Sequence, residues 1–158
     1  SGLEPAKIKT TGKIEDSAFN KKNNYSNGID LNFVPLNKMI LDSLENIIIN
    51  KRLYLDYKNN NLAINTELIN YTNLVKQYLK KNPSKTIEIN GHTDNNGYFE
   101  NNLIIGQNKA DALKAYFIKN GISENEINTF SRGEAEPIAN KYTEEGKALN
   151  NRIEIRIN

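Results

Sequence analysis

The chain has no cysteine and no tryptophan, a single histidine and a single methionine among its 158 residues. Without cysteine there is no disulfide framework and no thiolate metal site, and redox compartment is not legible. A metal on His92 and Asp94 is not expected, because zinc sites want three or four ligands and no second histidine exists. No apolar run approaches the roughly 18 residues of a membrane span. Charge of either sign is not in excess: 21 Lys+Arg stand against 19 Asp+Glu, a formal net of +2. That is too little to argue for nucleic acid or an anionic membrane surface. What is present is a polar chain, 37% hydrophobic and rich in asparagine, read as one soluble domain with a terminal extension. Ser1-Gly2 reads as an expression remnant, consistent with an export signal or lipid anchor lying outside this chain.

Residues 1–27 carry Lys, Asn, Ser and Thr with no sustained apolar period and read as a linker or disordered arm. Ile29, Leu31 and Phe33 alternate with Asp30 and Asn32, a short strand stopped by Pro35, within an extension over 28–52. Met39 to Ile49 is open between helix and strand. Leu53 to Tyr57 alternates as a strand, and Lys58 to Asn61 closes it as a loop. Asn65 or Thr66 caps a helix carrying Leu68, Tyr71, Leu74, Val75, Tyr78 and Leu79 at helical spacing, stopped at Asn82-Pro83-Ser84. A strand follows over Thr86–Asn90. Next come a glycine-bounded loop, Gly91 to Gly97, and a polar loop from Tyr98 to Asn102. A second helix places Lys109 in its first or second turn, buries Ala110, Leu113 and Phe117, and ends at Asn120-Gly121. Ser123 to Glu126 reads as a capping box. A strand over Ile127–Ser131, a connector with a short helix begun by Thr143, and a terminal strand on Ile153, Ile155 and Ile157 complete the order. Two such crossovers predict an α+β fold, a small mixed sheet with its helices on one side.

Chemically, the loop after the third strand sets an acid, Asp94, near a base, Lys109, at a strand-to-helix crevice where α/β layers hold ligands. A ligand carrying both ammonium and carboxylate would satisfy both charges; a surface ion pair worth roughly 0–1 kcal/mol would do so equally. Ser123 or Ser131 with His92 and Asp94 lacks the context of a nucleophile elbow. Phosphate-loop glycine patterns are absent. Asp56 and Asp94 together would suit acid–base work on sugars, although Asp56 reads rather as capping or orienting the site loop. Tyr71 and Tyr78 read as core.

From about residue 53 onward the chain resembles the OmpA-like peptidoglycan-binding family, a group that includes peptidoglycan-associated lipoproteins and flagellar stator subunits. The resemblance is carried by Leu55-Asp56-Tyr57, Ile89 to Gly97, Asn102, Lys109-Ala110, Tyr116, Gly121-Ile122, Gly133-Glu134 and Pro137-Ile138. Asn140, Gly146-Lys147-Ala148 and Asn150 to Glu154 extend it. Residues 30–36 resemble, more weakly, the lead-in of such proteins from Bacteroidetes-type bacteria. The resemblance implies a βαβαββ-type domain over 53–158 with a mixed four-stranded sheet. It also implies a non-enzymatic, cofactor-free function: binding the diaminopimelate of the peptidoglycan stem peptide and anchoring an envelope protein to the wall. The expected location is the periplasm, tethered to the outer membrane through a region outside this chain. The implied ligand residues are Asp94 and Lys109, with Thr93, Asn95, Asn102, Asp56 and Arg152 around them and His92 supporting the loop from beneath. Three positions depart from the family pattern: Lys109 and Asn151 stand where arginine is usual, and Gly106 where serine is. Lysine offers a point charge where arginine offers a fork, so weaker binding or a preference for a modified stem peptide is expected. The alternatives are a scaffold that has lost its ligand, and a wall hydrolase working through Asp56, Asp94 and His92.

Overall fold

A computed structural model of the chain describes residues 33–158. The arm over 1–27 and the strand residues Ile29 and Leu31 lie outside the described residues. The chain divides into two compact units, 1–43 and 44–158. Of the first, only the opening of helix α1 (Phe33–Ile49) is described. Phe33, expected in a strand, starts this helix, and Pro35 lies in its first turn. There a missing N–H breaks no helical bond, so the proline opens an element rather than closing one.

In the second unit the end of α1 leads into β1 (Asn50–Leu53), a hairpin of β2 (Tyr57–Lys58) and β3 (Asn61–Leu62), α2 (Thr66–Lys81), β4 (Ile87–His92) and α3 (Phe99–Lys119). A 3-10 turn (Glu124–Glu126), β5 (Ile127–Gly133), α4 (Glu144–Asn150) and β6 (Ile153–Ile157) follow. The sheet order is β1-β6-β4-β5, with β4 and β5 parallel and β6 antiparallel to both β1 and β4. The last strand therefore fills the gap left between β1 and β4 by the first crossover, a split βαβ arrangement.

The expected mixed four-stranded sheet is present, but its first strand is displaced. Alternating exposure does persist from Leu53 to Tyr57, yet the ladder ends at the Leu53–Ile153 pair because β6 begins there. What read as a closing loop is a hairpin turn, with Asn59 and Asn60 both at positive φ, the geometry that matches strand twist in two-residue hairpins.

Ile87 and Ile89 of β4 and Ile153, Ile155 and Ile157 of β6 form one face of the sheet. They share a buried core with Leu68, Tyr71, Val75 and Leu79 of α2 and Ala110, Leu113 and Phe117 of α3. Leu74, grouped with this stripe by spacing, is exposed. The opposite face is polar: Glu88, Asn90, His92, Arg132, Glu136, Glu154 and Arg156 line a basin of about 290 Å³. Caps follow the expected residues. The Asn65 side chain accepts from Leu68 N–H at 2.8 Å, Thr143 accepts from Gly146 N–H at 3.0 Å, and Ser123 and Glu126 form the reciprocal box.

Candidate ligand-binding site

Two glycines bring strand and helix together at the site. A side chain on Gly91 would put its Cβ 1.9 Å from the Gly106 carbonyl oxygen, and one on Gly106 would lie 2.3 Å from Ser131 Oγ. Gly91 and His92, expected in the loop, therefore continue β4, paired to β5 and held against α3. A serine at 106 would have no room here; the Ser131 hydroxyl occupies that space. One turn beyond Gly106, Lys109 is carried to the end of β4.

Helix α3 starts ten residues before Lys109, so the lysine backbone lies in its third turn, roughly 10–15 Å along the axis from the helix's free N–H groups. Lys109, expected in the first or second turn, therefore stands deeper in the helix. The segment Tyr98–Asn102 read as a loop because it is polar. Tyr98 caps the helix and Phe99–Asn102 form its first turn, where the buried Asn102 donates to Glu134 Oε2 at 2.5 Å and to the Asp94 carbonyl at 3.4 Å.

The loop itself is tightly held. Thr93 N–H donates to the Gly133 carbonyl at 2.9 Å, and its hydroxyl donates to the Asp94 carbonyl at 2.8 Å. One carboxylate oxygen of Asp94, Oδ1, accepts from Asn96 N–H at 2.9 Å, an Asx turn that leaves Oδ2 without a hydrogen bond among the described residues. Asn95 is half-buried, with its side-chain oxygen buried and unpartnered among the described residues.

Lys109 is only 6% exposed. Its ammonium donates to the His92 carbonyl at 3.2 Å and to the Asn151 side-chain oxygen. Burial lowers its pKa to about 8, against the opposing pull of the Asp94 carboxylate. The two charges feel each other, but no ion pair within 4.0 Å joins them among the described residues. Asp94 Oδ2 and the third ammonium N–H are the complementary handles left over.

Of the seven expected site residues, Asp94, Lys109, Thr93 and Asn102 converge, with Asn95 in the same loop. Arg152 and Asp56 do not join them. Arg152, 2% exposed, directs its guanidinium to the carbonyls of Asn150 and Glu136, both at 3.0 Å, and to Glu154 at 2.6 and 2.9 Å. It is a brace held at all three guanidinium nitrogens within the fold. The exposed Asp56 accepts at its carbonyl from Ala63 N–H, closing the β2–β3 hairpin, and its carboxylate has no bond to the site loop among the described residues. His92 is buried as expected, with its imidazole Nε2 3.3 Å from Glu154. Burial, and then the Arg152 charge, push its pKa down to about 4. Burial alone would raise the Glu154 carboxyl, but hydrogen bonding and charge from Arg152, followed by His92 and Arg52, hold it below its usual value.

Glu134 and Asn151 are the site residues that pattern reading did not assign. Asn151 was visible only as a departure at the position of a usual arginine. Its pairing with a second departure, Lys109, is a contact across 42 positions of sequence.

Comparisons with known proteins follow this geometry. Over 111 residues the chain is 31% identical to the peptidoglycan-associated lipoprotein of Buchnera aphidicola, covering 70% of this chain and 63% of that protein. Over 113 residues it is 31% identical to the probable lipoprotein YiaD of Escherichia coli, covering 72% and 52%. The chain thus spans 52–63% of the length of these curated relatives. The crystal structure of the peptidoglycan-associated lipoprotein from Burkholderia pseudomallei matches with a TM-score of 0.61 at 27% identity, covering 68% of this chain and 90% of that one. The model of the OmpA family matches residues 57–151, from the β2–β3 hairpin through the Asp94 loop and Lys109 to Asn151. A match over more than half of the chain, containing the whole Thr93–Lys109 site, makes this protein a member of the OmpA family.

Proposed function

We propose that the domain binds peptidoglycan without covalent chemistry. It takes the zwitterionic end of stem-peptide diaminopimelate between Asp94 and Lys109, and so anchors a periplasmic, outer-membrane-tethered protein to the wall. The observation that carries this reading is the unfinished bonding of the pair. An ammonium almost wholly buried keeps one donor unused beside a carboxylate with one unused oxygen, and the two are not bonded to each other. A ligand ammonium on Asp94 and a ligand carboxylate on Lys109 would complete both with charge-assisted bonds. The relatives named for their association with peptidoglycan support the same partner.

A scaffold without ligand is favoured by one observation, that Lys109 already has two acceptors inside the fold. For the hydrolase reading, His92 faces Glu154 and is not joined to Asp94. Titration with meso-diaminopimelate and co-sedimentation with intact sacculi separate the three. Pelleting that Asp94→Ala abolishes is the expected result. Release of soluble muropeptides would support the hydrolase, and silence in both assays the scaffold.

A further inference from the structure

Lys109 and Asn151 are bonded to each other, so these two departures from the family pattern form one local unit. Asn151 caps α4, its N–H donating to the Lys147 carbonyl at 3.0 Å, which fixes the backbone from which its amide reaches Lys109. With His92 carbonyl as the other acceptor, two of the three ammonium donors are held by neutral oxygens. An arginine would present two parallel donors, a fork that matches both oxygens of a carboxylate and that a carboxamide, with one oxygen, cannot satisfy. A lysine with one donor left asks for one acceptor oxygen only.

We propose that Asn151 is a positioning residue that makes Lys109 a single-donor clamp, and that the site therefore still takes diaminopimelate with its side-chain carboxylate amidated, losing the charge attraction of the free acid but no second hydrogen bond. This rests on the reading of the Asp94–Lys109 pair as the diaminopimelate pocket. Asp94 serves the ligand ammonium in both forms, so amidation changes only the group that meets Lys109. The amide nitrogen turns to solvent, and the amide oxygen takes the one available N–H.

The probes are a stem tripeptide ending in meso-diaminopimelate and the same tripeptide carrying the side-chain carboxamide, titrated calorimetrically into the whole chain. The wild-type protein is expected to bind both, the acid more tightly by roughly tenfold, the difference between a charged and a neutral acceptor. Asn151→Asp preserves shape but puts an anion against Lys109. It should weaken the acid form by roughly tenfold or more, through like-charge repulsion, and the amide form by much less, removing the preference for the acid. Equal losses on both probes would contradict the positioning role, since a merely structural lesion does not distinguish a carboxylate from an amide. Wild-type rejection of the amide by about a hundredfold or more, with the acid still bound, overturns the inference and leaves the acid-binding reading standing. Binding of neither form overturns both.

Discussion

Two buried cations flank His92, and their partners differ in kind. Lys109 donates to the His92 carbonyl, and the Arg152 carbonyl accepts the His92 N–H at 2.9 Å. The Arg152 guanidinium is met by a carboxylate and two carbonyls, so burial costs it little that its partners do not return. The Lys109 ammonium is met by neutral oxygens alone, and its charge is held at a pKa of about 8. A cation met by a carboxylate of its own fold is structural. One left short of an anion is available to a ligand.

That contrast is most strongly exposed by removing each charge. Arg152→Met should destabilise the domain by about 3–5 kcal/mol, because Glu154 and two carbonyls lose their donor, as read from denaturant midpoints. Lys109→Met, nearly isosteric, should change stability by no more than about 1 kcal/mol in either direction, since desolvation relief offsets the lost bonds. A smaller effect separates the two cations mechanically. Gly91→Ala forces β4 away from Gly106 and should cost about 1–3 kcal/mol through overpacking. It should also weaken ligand binding by displacing Lys109.

The smallest effects are in pH. His92 is neutral when folded, with a pKa of about 4 against its ordinary 6.5, so acidification protonates the unfolded chain first. Stability should fall as pH drops from 6.5 towards 4, and His92→Asn should flatten that slope in a series of chemical melts. Lys109 behaves oppositely for binding. The ammonium is lost as pH rises through about 8, so affinity for the free acid should decline above that pH, the bound carboxylate shifting the decline upward.

Much of this was legible in the sequence, for identifiable reasons. Asn65, Thr143 and the Ser123–Glu126 box act through bonds to residues three positions away, so spacing alone reveals them. The alternation of Ile153, Ile155 and Ile157 is likewise a one-strand property. The errors occur where a distant partner decides. β1 ends at Leu53 because β6 has no residue left to pair with it. Gly91 and His92 stay in β4 because β5 and α3 press on them, and Asn102, in the first turn of α3, gives its amide to Glu134, over 30 residues away. Asp94 and Lys109 emerged from family pattern together with spacing. That Arg152 is a brace and Asn151 a partner of Lys109 depends on which face each side chain meets, which local periodicity does not encode.

The most direct test is a calorimetric titration of meso-diaminopimelate into the wild-type chain and into Lys109→Met, with Arg152→Lys as the brace-preserving control. The account predicts binding by the wild type, a loss of at least tenfold in Lys109→Met without loss of fold, and near wild-type affinity in whatever fraction of Arg152→Lys is folded. Undiminished binding by Lys109→Met would contradict it.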